Sequence, residues 1–315
     1  MYNYKAYSNL PKLKGCECCN PALTALGFSK TDRVLILHAD DIGMSHASLE
    51  ACRELMNFGL ISSASIMVPG PWYPQVSDYC RCNSKIDIGV HLTLNSELSS
   101  CRWRPLSTRN LDSGLLDATG YFHKDRAIIT QYGRLNDIQI ELQQQISCAL
   151  ADAIDVTHID EHMGTVAHPR FLSIYAQLAL EYAIPALILR LSEVDYLMMG
   201  FNSKWSESSS RIIKELEEQG VPLLDNYYIM PLDSHEKRVE TVRQLFANLP
   251  SGLTHVAIHP AIDTPELRAM TPDWRGRVAD YEAFTSETVK QLIHSSGIQI
   301  ISYRDLRELM RQRIV

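Results

Sequence analysis

Three short stretches end apolar runs in residues that bind metals. They are Val34 to Asp41, Ile86 to Leu94 and Val156 to His162. Each run has strand length, and each terminates in or carries Asp or His. Asp40 and Asp41 tip the first, His91 sits in the second, and His158, Asp160 and His162 alternate along the third. A carboxylate and two imidazoles delivered from separate strand ends form a facial set for one divalent ion. Such a set points to hydrolysis by an activated water.

Each residue also has a plainer reading. Asp41 or Ser45 could cap the following helix. A lone His in an alternating apolar strand, such as His91, is commonly a hydrogen-bonded core residue. His259 ends the run Val256 to Ile258, and Arg190 ends Ala186 to Leu189, so each could be either core or site. Together they weigh more than singly, because core strands avoid polar residues at so many ends.

The elements that must position these groups alternate. Strands are expected at 34–38, 62–68, 87–94, 155–159, 186–190, 254–258 and 298–302. Helices are expected between most of them. Ser45 to Phe58 is closed by Gly59, and Asn136 to Ala153 carries Ile138, Leu142, Ile146 and Ala149 on one face. Pro169 to Tyr182, Ser206 to Gln219, His235 to Asn248 and Ser286 to Ser295 follow the same pattern. This order predicts an α/β fold of parallel βα units. Site residues at several strand ends favour a distorted (β/α) barrel with outer helices over a doubly wound sheet. No Gly-rich nucleotide loop is present. Residues 1–30 read as an N-terminal extension and 31–315 as a single barrel domain. A polar and aromatic insertion at about 95–135 is long enough to cover a site.

Composition limits the partners. The chain has 315 residues, 45% hydrophobic, with a net charge of −7. That charge argues against nucleic acid, which needs a basic face. No apolar run reaches membrane-spanning length. The first residues lack a signal-peptide core, so a cytoplasmic location is expected. Among the eight cysteines only Cys16 and Cys19 stand in CxxC spacing, and no second such pair follows to complete a zinc ribbon. Cys16, Cys18 and Cys19 form a cluster read as reduced thiols, with a soft-metal site as the alternative.

At the strand tips the sequence resembles the YdjC-like carbohydrate deacetylase family, itself similar in metal site to NodB-type polysaccharide deacetylases. The matching pieces are His38-Ala-Asp-Asp-Ile-Gly-Met-Ser45, Gly59-Leu-Ile-Ser-Ser-Ala-Ser65, Gly89-Val-His-Leu-Thr-Leu94, Thr157-His-Ile-Asp-Glu-His162 and His259-Pro-Ala261, in order over about residues 33–310. The resemblance implies a barrel that removes acetyl groups from amino sugars. It implies Asp41, His91 and His162 as metal ligands, Asp40 as general base and His259 as proton donor to the departing amine. It implies magnesium, ranked first; two imidazole ligands favour zinc or cobalt. His38 stands where the family has Asn, and Glu161 where it has Ser. Arg190 is expected to keep Asp40 ionised or to bind a sugar hydroxyl. Trp103 and Tyr121 are candidate sugar-stacking faces or core. The expected partner is a small carbohydrate; a homodimer is entertained without a residue that argues for it. The alternatives are another metal-dependent barrel hydrolase, such as an amidohydrolase or phosphoesterase, and a non-catalytic carbohydrate-binding protein.

Overall fold

Strand β1, Arg33–Ile42, organises the structure. In the computed structural model, which describes residues 19–314, it is flanked by parallel strands on both sides. The regular ladder runs in the order β4 (Val156–Glu161), β3 (Ile88–Leu92), β2 (Ser63–Ile66), β1, β6 (Gly252–Ile258) and β5 (Asn226–Ile229). A short β7, Gln299–Ile300, pairs with Val34 and Leu35 of β1. All pairs are parallel, and helices occupy the connections, so the architecture is α/β. Cys16 and Cys18 lie outside the described residues, as does most of the expected extension. Residues 20–28 are structural: Asn20 Nδ2 donates to Leu223 O and Asp225 Oδ2, each at 2.9 Å, and Leu23 is buried.

Alternation along β1 separates two environments. Leu35, Leu37 and Ala39 join the main apolar core with Leu49, Cys52 and Leu55 of the helix His46–Phe58. Val34 and Ile36 face the other way, into a smaller cluster with Leu23, Leu253, Tyr303 and Leu306. That inner face turns polar further along the strand, at His38 and Asp40, both buried. The apolar plug at one end therefore leaves the opposite, C-terminal end of the strands for chemistry.

The expected strand at 186–190 is replaced by two isolated bridges, Ile159 to Ala186 and Leu189 to Leu224. Bonds from Ile188 N to Ala186 O (2.8 Å) and from Leu191 N to Leu189 O (2.9 Å) are tight i to i−2 turns. Such turns kink the backbone out of a regular ladder. Between β4 and β5 the wall thus consists of single bridges, and the regular sheet is an open path rather than a complete barrel. The helix Leu135–Ala151 buries Ile138, Leu142, Ile146 and Ala149 as the periodicity requires, but begins at Leu135, with no side-chain cap from Arg134. Ser45 and Ser48 form a reciprocal capping box at the start of His46–Phe58, and Gly59 closes that helix with φ of 73°.

Candidate metal centre

The register between β1 and β2 slips between Ala39 and Ile42, where β1 holds one extra residue. Asp41 occupies this bulge with φ of 63°, a left-handed conformation. Asp tolerates that region better than most residues, yet it costs on the order of 1–3 kcal/mol. The bulge re-aims the side chain. The strand does not end before the acids, as its sequence suggests; it continues to Ile42, and the bulge brings Asp40 and Asp41 to one site.

Asp41 Oδ1 lies 3.0 Å from His162 Nδ1 and 3.3 Å from His91 Nε2. All three side chains are buried. Asp41 Oδ2 accepts from Arg277 NH1 at 2.8 Å. On its far side, His91 Nδ1 is 3.0 Å from Asp160 Oδ1, and Ser65 Oγ donates to Asp160 Oδ2 at 2.8 Å. The far nitrogen of His162, Nε2, is 3.0 Å from Glu97 Oε2. Each imidazole therefore has a carboxylate on one nitrogen and directs the other toward Asp41.

This donor set fits a divalent ion. Carboxylate partners on the outer nitrogens of metal-bound histidines fix the tautomer and orient the ring. Donor separations of 3.0 and 3.3 Å match adjacent ligands around one centre with bonds of about 2.0–2.2 Å. Other overlapping groups, such as His38 with His158 and Asp160, also place donors close together. In one of them, His38 Nε2 meets His158 Nε2 at 2.9 Å, so those two imidazoles are turned toward each other.

Charge is strongly coupled here. Burial opposes ionisation of Asp41, but Arg277 and then His162 outweigh it and hold the carboxyl well below its ordinary range. Burial depresses His162, yet Glu97 and Asp41 lift it to about 9. His91 is likewise raised well above its ordinary value, against burial, by Asp160 and Asp41. In the metal-free protein these imidazoles are drawn to the protonated state, and a bound cation would take the place of protons.

Asp40 lies beside this centre. Its Oδ1 is 2.7 Å from His38 Nδ1, and its Oδ2 is 3.8 Å from His259 Nε2. The His259 backbone N–H donates to Asp280 Oδ2 at 2.9 Å, while its ring Nδ1 has no hydrogen-bond partner among the described residues. Asp40, His91, Glu161, His162 and His259 line one small cavity; Asp41, His162 and His259 also open onto a larger one.

The remaining expected site residues fall elsewhere. Arg190 pairs with Glu217 (2.5 Å) and Asp225 (3.0 Å) and lines neither cavity. Trp103 is buried, donates from its indole to Asn95 O at 2.7 Å, and sets its ring edgewise to His162 at 5.9 Å. It backs His162 instead of presenting a face to a cavity. Tyr121 is half-buried beneath the guanidinium groups of Arg104 and Arg102. Sequence reasoning missed Glu97 and Arg277. Glu97 lies three residues after the motif Gly89–Leu94, in the polar segment that follows β3. Arg277 lies in the helix Trp274–Phe284, where its spacing from Asp273 resembles an ordinary helical ion pair.

Fold and site define a parallel α/β protein with a buried carboxylate–imidazole centre at the C-terminal ends of its strands. The chain belongs to the YdjC-like family, whose profile matches residues 34–295. A Thermus thermophilus protein named carbohydrate deacetylase is 34% identical over 278 residues, 88% of this chain and 95% of its own length. A Thermoanaerobacter pseudethanolicus protein of the same name is 24% identical over 87% of this chain and all of its own. An Enterococcus faecalis crystal structure, named for cellobiose-phosphate cleavage, shares the fold with a TM-score of 0.71, 23% identity, and coverage of 87% of this chain and 99% of that one.

Proposed function

We propose that this chain is a metal-dependent deacetylase of N-acetylated amino sugars, with Asp41, His91 and His162 holding the ion. The observation that carries the reading is that Asp41 Oδ1 is within 3.3 Å of one nitrogen of each imidazole, while each other nitrogen meets a carboxylate. The names of the relatives supply the deacetylase class.

A divalent ion bound there supplies an activated water and polarises the amide carbonyl. Asp40 removes the water proton. His38 holds the Asp40 carboxylate through the 2.7 Å contact, so that its second oxygen faces the cavity with His259. His259 Nε2 donates a proton to the departing amine, which leaves poorly without one. Their 3.8 Å separation puts acid and base side by side, a distance too short to seat a carbonyl between them. Arg277 keeps Asp41 ionised and directed at the imidazoles. Phosphoester chemistry would call for uncommitted cations at the centre; Arg277 is instead bound to Asp41 and Asp273. Magnesium remains the first choice, with zinc or cobalt next.

Acetate release from N-acetylated glucosamine oligomers tests the reading. Release that stops on chelation and returns with added metal supports it. Chelator-insensitive release, or none with metal present, would overturn it.

A further inference from the structure

His162, Met163, Ile229 and His259 line both cavities, so the two meet at the proposed reaction centre. The smaller, about 30 Å³, is faced by Asp40, His91, Glu161 and Arg126. It has room for only a few heavy atoms. The larger, about 780 Å³, runs out past Asp41 between segments 97–100, 229–233 and 268–273. That is the size of a pocket for a whole small molecule. The two volumes differ as a small acyl group differs from the rest of an acylated substrate.

The chemistry of the larger wall is unlike that expected for a row of sugars. Leu98, Met163, Ile229, Met230, Leu232 and Met270 supply much of it, and no Phe, Tyr or Trp is among its lining residues. Its polar groups are largely committed within the protein. Arg277 binds Asp41 and Asp273, Glu97 binds His162 and Asn95, and Ser100 donates to the carbonyls of Ala269 and Met270. Asp233 is the carboxylate there without such a commitment among the described residues. Buried sugar hydroxyls without partners weaken binding, whereas methionines adapt readily to aliphatic groups.

Resting on the deacetylase reading, we infer that the amine portion of the substrate is an amino sugar bearing an aliphatic aglycone, and that the aglycone lies in the larger cavity against Leu98, Met230 and Met270. The enzyme would then act on an amphipathic glycoside in preference to a longer oligosaccharide.

The test compares three N-acetylated substrates with the intact, metal-loaded enzyme: methyl and octyl glycosides of N-acetylglucosamine, and its β-1,4-linked disaccharide. Each buried methylene is worth about fourfold in binding. The octyl glycoside should exceed the methyl glycoside at least tenfold in kcat/KM, mainly through KM, and the disaccharide should gain less than about threefold. Calorimetry of the same glycosides with chelator-treated protein provides a readout independent of turnover, and octyl should again bind at least tenfold more tightly. Met270→Gln should reduce the octyl-over-methyl preference at least threefold in both calorimetry and kcat/KM. Octyl and methyl glycosides within threefold of each other by calorimetry, or a tenfold gain from the second sugar, would overturn the inference. Absence of acetate release from all three with the octyl binding preference intact would overturn the deacetylase reading and leave the cavity assignment standing.

Discussion

His162 should make the metal-free protein lose stability as pH rises from neutral into the alkaline range. Buried beside Glu97 and Asp41, its imidazole titrates at about 9, against an ordinary 6.5. The folded state thus holds this proton more tightly than the unfolded chain does. The resulting stabilisation is fully present below pH 6.5 and disappears as pH rises through about 9. The gap corresponds to about 3 kcal/mol, a sizeable part of the typical stability of a globular protein. His91 is raised as well and acts in the same direction. Urea unfolding of chelator-treated protein at pH 6.5, 7.5, 8.5 and 9.5 would measure the decline. His162→Gln removes one of the two titrating groups and should make the decline shallower, leaving the part that His91 contributes. The metal-loaded protein should show the opposite tendency in affinity, because binding displaces the same protons: about tenfold tighter per pH unit for each proton released, up to about pH 9. Stability of the metal-free wild type that is flat or rising over this interval would refute the ion-pair account of the centre.

Three further outcomes follow from the geometry. Asp40→Asn should retain metal and lose about 10²–10⁴ in kcat; turnover near wild type would remove Asp40 from the chemistry. Arg277→Met leaves the buried Asp41 and the half-buried Asp273 without their cation, which should destabilise the fold by about 3–5 kcal/mol and weaken metal binding about 10–100-fold, measured by denaturation and calorimetry; unchanged affinity would show that Arg277 does not tune the centre. His259→Ala should cut turnover of amides, keep metal content and spare activated aryl esters, whose leaving group needs no proton; loss of metal would make His259 a ligand.

Much of the centre was legible because its residues break a strong pattern. An apolar strand that ends in Asp or His, as at Asp41 and His162, stands out against core composition. His91 was legible through company, since a single imidazole in a strand is ambiguous. The geometry that unites them was not legible. The bulge at Asp41 arises from its pairing with β2, not from the local sequence. Arg277 comes from a distant helix, and its partner could be found only in three dimensions. Arg190 shows the opposite error: a charged strand tip, yet its partners Glu217 and Asp225 hold it away from the centre. In the fold, the expected strand at 186–190 yields to tight turns. The strand Asn226–Ile229 was overlooked because it is short and half-buried, with a consecutive Tyr227 and Tyr228 that give no alternation.

The most direct measurement is anomalous diffraction from crystals grown with zinc or cobalt. A single strong peak within about 2.0–2.3 Å of Asp41 Oδ1, His91 Nε2 and His162 Nδ1, with Asp40 near but outside bonding distance, is the expected result. A peak bounded instead by His38, His158 and Asp160, or none in protein that still releases acetate, would contradict the assignment of the metal centre.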